Sequence, residues 1–230
     1  MTVDSTRAKT AGAQPVVLFD FDGVLFNGDA FTALMRHHCA RAWWRVVLAS
    51  PLLFVTLPFL WLRRTRSGAV RFIVRLALLG FSLSRYRTLA QEFGRTLARD
   101  ARHFSRQGLA ALNAHRHAGA RVIVVSGCEE TLARTILDDL GLGQIELVAS
   151  RLAEGRFGVR VAVRNVGVEK AHQLGRRGVR PPWDVAYSDS LADLPILAAA
   201  RSAFLVNPNR QMLARVSPRL KGRLSIVEWQ

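Results

Sequence analysis

The stretch Val16–Asp29 reads VVLFDFDGVLFNGD, an apolar run that stops at two carboxylates, Asp20 and Asp22, followed by Gly23. A short apolar run bounded by polar residues is typical of a strand buried in a parallel sheet. Because side chains i and i+2 lie on one side of a strand, both carboxylates are expected to point the same way from its end. A single aspartate there would most simply close a turn. Two like charges at the end of a buried strand instead favour a site that binds a cation.

Three later segments also place polar residues where predicted strands end or a helix begins. RVIVVSG at residues 121–127 and WDVAYSD at 183–189 are apolar runs that stop at polar side chains, and VGVEKAHQL at 166–174 is a short amphipathic segment. The carboxyl ends of parallel strands meet at one edge of a sheet, so these residues are expected to share a site with the two aspartates. Taken singly, Ser126 reads as a turn serine, Lys170 as a solvated helix lysine and Asp193 as a carboxylate at a helix N-terminus. The residues concerned are Ser126, Gly127, Lys170, Asp189 and Asp193.

In this order, the four segments resemble the motifs of the haloacid dehalogenase superfamily of aspartate-nucleophile phosphatases: DxDG, a strand-end Ser, an isolated Lys, and DxxxD. The chain departs from these motifs at Val24, where the family usually has Thr. The resemblance implies an α/β fold with a Rossmann-like parallel sheet core. It also implies a Mg²⁺-dependent phosphomonoesterase that forms an aspartyl-phosphate, an intermediate that splits one difficult displacement into two.

The resemblance also implies a role for each motif residue. Asp20 would be the nucleophile, and Asp22 would be the general acid and base. Carboxylate and carbonyl oxygens are ligands that Mg²⁺ accepts, and a hydroxyl or an ammonium can hold phosphoryl oxygens. The implied Mg²⁺ ligands are Asp20, the main-chain carbonyl of Asp22 and Asp189; the implied phosphate-binding residues are Ser126, Gly127 and Lys170; and Asp193 would support Lys170 or a metal-bound water.

The spacing of the motifs predicts one catalytic core interrupted by an insertion. With 230 residues, 50% of them hydrophobic and 22% charged, the chain can bury a sizeable core. We expect a polar tail at 1–14, a core at 15–34 and 107–230, and a helical cap at 35–106, inserted after the first strand. In the second half of the chain, apolar periodicity predicts alternating strands and helices, with a β-hairpin arm at 157–161. The predicted strands are 121–125, 145–149, 184–188 and 203–206, and the predicted helices lie near 129–140, 168–175 and 192–200.

The insertion carries an uncharged apolar run at 46–62, VVLASPLLFVTLPFLWL, with tryptophan and arginine at both of its borders. This bracketing is typical of a membrane interface, whereas a soluble helix would show a polar face. The 17 residues of the run would span about 25 Å as a helix, less than a hydrocarbon core of about 30 Å. A single crossing would also separate Asp20 from Ser126. We therefore expect a hairpin, bent between Pro51 and Pro58, that dips into one leaflet, with an even number of crossings as the alternative.

The net charge of the insertion also favours contact with a membrane surface. Between Arg36 and Arg106 there are 14 arginines and two acidic residues, a net charge of +12 within the chain's +16. A basic surface suits anionic lipid, and nucleic acid is the weaker reading because the arginines flank apolar sequence instead of a polar or aromatic groove. Residues 70–81 are expected to form a basic interfacial helix. An apolar stripe over 86–106 predicts the helix that returns to the core.

The position and character of the cap make the chain similar to the phosphoserine-phosphatase-type subgroup and, within it, to the bacterial phosphatidylglycerophosphatase C family. That resemblance implies hydrolysis of phosphatidylglycerophosphate to phosphatidylglycerol, with anionic membrane lipid and a lipid phosphate as partners and no nucleic acid. The first 14 residues lack the apolar segment of a secretory signal, so we expect the enzyme on the cytoplasmic face of the inner membrane. The alternatives are a cap-anchored phosphatase for phosphoserine, another small metabolite or another lipid phosphate, and a non-catalytic membrane adaptor. The sequence leaves the oligomeric state open.

Overall fold

Seven strands form one sheet in the computed structural model, which describes residues 14–41, 47, 50, 51, 59, 66–220 and 222–229. The strands are β1 Val16–Phe19, β2 Arg121–Glu129, β3 Glu146–Gly155, β4 Gly158–Val163, β5 Trp183–Ser188, β6 Ala200–Val206 and β7 Leu224–Val227. Their order across the sheet is β4-β3-β2-β1-β5-β6-β7. Neighbouring strands are parallel, except that β3 and β4 form an antiparallel hairpin at one edge.

The first strand is the centre of the sheet and is buried on both faces. Leu18 of β1 lies opposite Ile123 of β2 and Ala186 of β5. Because side chains alternate along a strand, Leu18 packs into one apolar cluster while Val17 and Phe19 pack into another. The run VVLF therefore has no polar face, as expected for a central parallel strand with helices on both sides.

Helices cover both faces of the sheet. They are α1 Ala30–Arg41, α2 Arg66–Ala77, α3 Leu83–Ala98, α4 Arg106–His117, α5 Glu130–Asp139, α6 Val168–Arg176, α7 Leu194–Ala199 and α8 Arg210–Val216, with 3₁₀ turns at Ala101–His103, Leu191–Asp193 and Ser217–Arg219. Apolar residues of α1 to α5 join the cluster that contains Phe19. Apolar residues of α6, α7 and α8 join the cluster that contains Leu18. Together the two clusters fix β1, and so they fix the position of the carboxylates that follow it.

The predicted α/β class with a mostly parallel sheet is confirmed. The strands predicted at 121–125 and 145–149 are present but longer. Beyond Val125, β2 passes through a register shift and pairs with β3 again at Glu129 and Ser150, and β3 continues beyond the parallel sheet to pair with β4. The hairpin arm predicted at 157–161 is β4. No pattern in the sequence predicted α8 or β7, which are short elements with mostly exposed or half-buried residues.

The helix predicted over 86–106 is wrong at its C-terminal end. Its stripe is correct as far as Leu97, with Tyr86 and Ala90 buried along one side of α3. The helix ends at Ala98 because Asp100 starts a 3₁₀ turn, where its side chain accepts the Arg102 N–H at 3.1 Å. A separate helix, α4, then leads to β2.

The apolar run at 46–62, with its expected bend between Pro51 and Pro58, lies almost entirely outside the described residues. The membrane-associated cap therefore stays a prediction, as does the division of the chain into core and cap. Within the described part of the chain, no helix combines the length and the apolar character needed to cross a bilayer. The basic segment expected at 70–81 forms most of α2 and the turn after it, with Val74 buried and Arg75 exposed.

Candidate active site

The carboxyl ends of three neighbouring strands bring the motif residues together. Asp20 follows β1, Ser126 lies in β2 and Asp189 follows β5. The Asp20 N–H donates to the Tyr187 carbonyl oxygen at 3.0 Å, so the pairing of β1 with β5 extends to the first aspartate. One cleft at this edge is lined by Asp20, Asp22, Gly127, Lys170, Asp189 and Asp193, among other residues. Ser126 is fully buried and reaches the cleft through a hydrogen bond to Asp22.

Lys170 lies between two carboxylates and is only 3% exposed. Its ammonium nitrogen is 2.9 Å from Asp20 Oδ1 and 2.6 Å from Asp193 Oδ2. The Ser188 hydroxyl donates to the same Asp193 oxygen at 2.9 Å. The alternative reading of Lys170 as a solvated helix lysine is therefore wrong. Asp193 lies where it orients Lys170 toward Asp20.

Burial and opposite charges compete in setting the ionisation of these three groups. Burial raises the pKa of Asp20 well above its usual range, while the Lys170 ammonium opposes that rise. Burial alone would lower the pKa of Lys170, but Asp20 and Asp193 together raise it above its usual value. Burial also disfavours the Asp193 carboxylate, but the Lys170 ammonium and hydrogen bonds outweigh this and lower the pKa of Asp193. Lys170 therefore stays an ammonium, and a further cation would favour the ionised form of Asp20.

Asp22 lies at the same edge and receives two hydrogen bonds. Its Oδ1 accepts the Ala30 N–H at 2.9 Å, at the start of α1, and its Oδ2 accepts the Ser126 hydroxyl at 3.4 Å. Burial raises the pKa of Asp22 to about 7, although the hydrogen bond from Ala30 opposes the rise. A carboxyl group with a pKa near neutral pH can both give and take a proton, as a general acid and base must.

Asp189 faces the main chain of Gly23, the residue directly after Asp22. A Cβ atom added at Gly23 would lie 1.8 Å from Asp189 Oδ2, and Gly23 has a φ of +75°, so glycine is required on both grounds. Burial raises the pKa of Asp189 to about 6. The Asp189 carboxylate is thus held beside the Asp22–Gly23 peptide in a place where ionisation is disfavoured.

These residues fit the predicted Mg²⁺ site. Burial raises the pKa of both Asp20 and Asp189, and a divalent cation between such carboxylates would favour their ionised form. In the described ranges, no group of three or more His, Cys, Asp or Glu side chains is arranged to hold a metal ion. The predicted set needs only two such side chains, Asp20 and Asp189, with the Asp22 carbonyl oxygen. Mg²⁺ commonly completes its shell with water and phosphate oxygens.

The main chain at Ser126 and Gly127 is held by two residues that no sequence pattern revealed. The Asn165 side-chain amide donates to the carbonyl oxygens of Ser126 at 3.0 Å and of Val148 at 2.8 Å. The Ser150 hydroxyl donates to the Gly127 carbonyl oxygen at 2.7 Å and accepts the Asn165 N–H at 2.9 Å. Sequence alone gave no signal for Asn165, because the two residues that accept from its amide are 39 and 17 positions away.

Comparison with known proteins agrees with this geometry. The model of one protein family, described as haloacid dehalogenase-like hydrolase, matches residues 17–198. A Mycobacterium tuberculosis protein named a "probable phosphatase" is 31% identical over 110 residues, which cover 46% of this chain and only 38% of that protein.

Two solved structures share the fold. A Bordetella pertussis protein of unknown function is 18% identical with a TM-score of 0.70, and the match covers 94% of this chain and 99% of that one. A phosphoserine phosphatase, solved as an analogue of its phospho-aspartyl intermediate, is 17% identical with a TM-score of 0.57. That match covers 90% of this chain and 92% of the phosphatase.

Proposed function

The chain belongs to the haloacid dehalogenase-like hydrolases, and we propose that it is a Mg²⁺-dependent phosphomonoesterase that forms an aspartyl-phosphate on Asp20. The observation that carries this proposal is the buried contact of Lys170 with Asp20 and Asp193, at the same strand edge as Asp22. The structural likeness to a phosphoserine phosphatase solved as a phospho-aspartyl analogue supports the covalent intermediate. The non-catalytic adaptor is disfavoured because all the implied catalytic residues lie at one edge of the sheet.

In the first step, a carboxylate oxygen of Asp20 forms a bond to phosphorus, and the bond between phosphorus and the ester oxygen breaks. Asp22 gives its proton to the departing alcohol, which its pKa of about 7 permits near neutral pH. Lys170 stays protonated and balances negative charge on the phosphoryl oxygens. The Ser126 hydroxyl and the Gly127 main chain would contact the same oxygens.

In the second step, Asp22, now a carboxylate, takes a proton from water as the water oxygen attacks phosphorus. The acyl-phosphate bond breaks, which releases inorganic phosphate and restores the Asp20 carboxylate. Asp22 then holds the proton for the next cycle. Mg²⁺, held by Asp20, the Asp22 carbonyl oxygen and Asp189, would supply positive charge that lets an anionic phosphate approach the carboxylates.

The proposed substrate is phosphatidylglycerophosphate, hydrolysed to phosphatidylglycerol at the cytoplasmic face of the inner membrane. The uncharged run at 46–62 and the net charge of +12 between Arg36 and Arg106 support attachment to an anionic lipid surface. A substrate whose phosphate is fixed to a lipid needs an enzyme that works at that surface. Attachment that buries apolar side chains should survive a high-salt wash, which would remove a purely electrostatic association.

A phosphate-release assay tests both the proposed chemistry on Asp20 and the proposed lipid substrate. The full-length protein would be given Mg²⁺ and a panel of detergent-dispersed lipid phosphates, phosphoserine and phenyl phosphate. We expect phosphatidylglycerophosphate to have the highest kcat/KM, and Asp20→Asn to abolish release with an unchanged circular dichroism spectrum. A wide preference for phosphoserine, or release of the protein from membranes by salt, would favour the soluble-metabolite alternative. Turnover by Asp20→Asn would exclude Asp20 as the nucleophile.

A further inference from the structure

A cavity of about 280 Å³ opens beside Asp22 and Gly127, and Lys170 is not among the residues that line it. It lies between the start of α1, one side of α2 and the hairpin of β3 and β4. Asp22 is the proposed acid for the departing alcohol and lines this cavity, so the cavity adjoins the place where that alcohol would leave. The side chains that line the cavity therefore bear on which alcohol the site accepts.

One wall of the cavity is apolar. Its apolar side chains come from four separate elements, so the wall depends on the tertiary fold. Val74 is buried, and the others are partly buried against the same core cluster. Such a wall favours hydrocarbon over the zwitterion of an amino acid. The wall is formed by Phe31 of α1, Val70 and Val74 of α2, Leu152 of β3 and Val161 of β4.

Two acidic residues that line the cavity accept hydrogen bonds from other groups of the protein. The Glu129 carboxylate accepts hydrogen bonds from the Tyr86 hydroxyl at 2.9 Å and from the Thr131 N–H at 3.0 Å, where it caps α5. The Asp29 carboxylate accepts the Thr32 N–H at 2.7 Å at the start of α1. Donors at two helix N-termini therefore offset these charges.

Arg164 is the one cationic side chain among the described residues that line the cavity. Its neighbour Asn165 is fully buried and hydrogen-bonds the carbonyl oxygen of Ser126 and the hydroxyl of Ser150. Consecutive Cα atoms are about 3.8 Å apart, so the main chain of Arg164 is fixed close to the main chain of Ser126 and Gly127. Arg164 thus lines the cavity close to the proposed phosphate-binding loop, and it takes no part in the contact between Lys170 and Asp20.

From this placement we infer that Arg164 is a specificity-determining residue that binds a second, diester-linked phosphate on the leaving alcohol. The apolar wall contacts the hydrocarbon that adjoins that phosphate. A guanidinium suits this task, because its planar fork binds two phosphate oxygens at once. The inference rests on the proposed function. It implies that the substrate is a phosphomonoester joined through a short polyol to a phosphodiester, and that this cavity binds the phosphodiester.

The test compares three substrates in the full-length enzyme with Mg²⁺. Dihexanoyl phosphatidylglycerophosphate and its deacylated, water-soluble form both carry the diester phosphate, and phenyl phosphate does not. Arg164→Gln should lower kcat/KM on both diester-bearing substrates about 10- to 100-fold more than on phenyl phosphate. The loss should appear in KM, since the contact is present before the chemical step. Arg164→Lys keeps the positive charge but lacks the planar guanidinium, so it should lower kcat/KM less than Arg164→Gln does.

Arg151→Gln is the matched control, because Arg151 is an exposed arginine of the same hairpin that does not line the cavity. It should change none of the three values. The Arg164 inference is overturned if Arg164→Gln lowers kcat/KM equally on all three substrates, or if Arg151→Gln gives the same selective loss. If Arg164→Gln does not fold, equal values for Arg164→Lys and wild type on all three substrates overturn it too. No turnover of any substrate by wild type would instead contradict the proposed function itself.

Discussion

Gly23→Ala is the substitution whose effect follows most directly from the site geometry. The added Cβ atom would lie 1.8 Å from Asp189 Oδ2 and 2.2 Å from the carboxyl carbon, whereas real Cβ contacts essentially never fall below 3.0 Å. The Asp189 carboxylate or the Gly23 main chain must therefore move by about 1.2 Å, the difference between 3.0 and 1.8 Å. A displacement of about 1 Å in a reacting site can cost roughly 100-fold in rate. We expect kcat/KM to fall by about that factor, with a higher Mg²⁺ requirement.

The same substitution should also reduce stability. At a φ of +75°, an alanine is strained by about 1–2 kcal/mol relative to glycine. In a chain of this size, each kcal/mol lowers Tm by roughly 2–4 °C, so the expected fall is about 2–8 °C. This loss alone leaves the protein folded at the assay temperature, provided that wild type melts well above it.

Gly141→Ala is the control that separates backbone strain from displacement of the Asp189 carboxylate. Gly141 has a φ of +72°, and nothing lies within 4 Å of the position of its Cβ atom. This variant should lose similar stability and keep its activity and its Mg²⁺ requirement. Phosphate release across a Mg²⁺ titration and thermal unfolding would be measured on both variants. Full activity in Gly23→Ala, or an equal loss of activity in Gly141→Ala, would refute the role given to the contact of Gly23 with Asp189.

Three further predictions concern the same site. Lys170→Ala should lower turnover at every Mg²⁺ concentration, whereas excess Mg²⁺ should partly rescue Asp189→Asn, which removes an implied metal ligand; matching titrations would contradict these roles. In metal-free protein, the folded pKa of Asp189 is about 6 against a usual 3.8, so stability is lost as pH rises from about 4 to 6. The Tm of Asp189→Asn should fall less over that range, and parallel curves would show that Asp189 does not contribute. Asn165→Ala should lose about 2–3 kcal/mol in urea unfolding and weaken inhibition by inorganic phosphate; unchanged inhibition would show that Asn165 does not hold the loop.

Local patterns were sufficient to predict the strand ends that form the site. The run before Asp20 is apolar without interruption, and in a parallel sheet such runs end at a common edge. The same logic placed Asp189 directly after β5. Ser126 lies beside the two aspartates as expected, but it falls at a register shift inside β2 and not after the strand. Lys170 could be placed only through the resemblance, because its own segment reads equally well as a solvated helix.

The residues that support the site could not be predicted, because their contacts are distant in sequence. Asn165 bonds to Ser126, 39 positions away, and Tyr86 bonds to Glu129, 43 positions away. No periodicity or motif encodes such pairs. Likewise, the end of α3 depends on one side chain, Asp100, which forms a turn in competition with an otherwise continuous helical stripe.

The covalent intermediate on Asp20 is the central claim, and rapid acid quenching tests it most directly. Wild-type enzyme would be mixed with Mg²⁺ and a substrate carrying ³²P in its phosphomonoester, quenched within milliseconds, digested and mapped by peptide. We expect an acid-stable, hydroxylamine-sensitive label on the peptide that contains Asp20, and no label in Asp20→Asn. Rapid turnover with no trapped label at any quench time, or a label on any other residue, would contradict it.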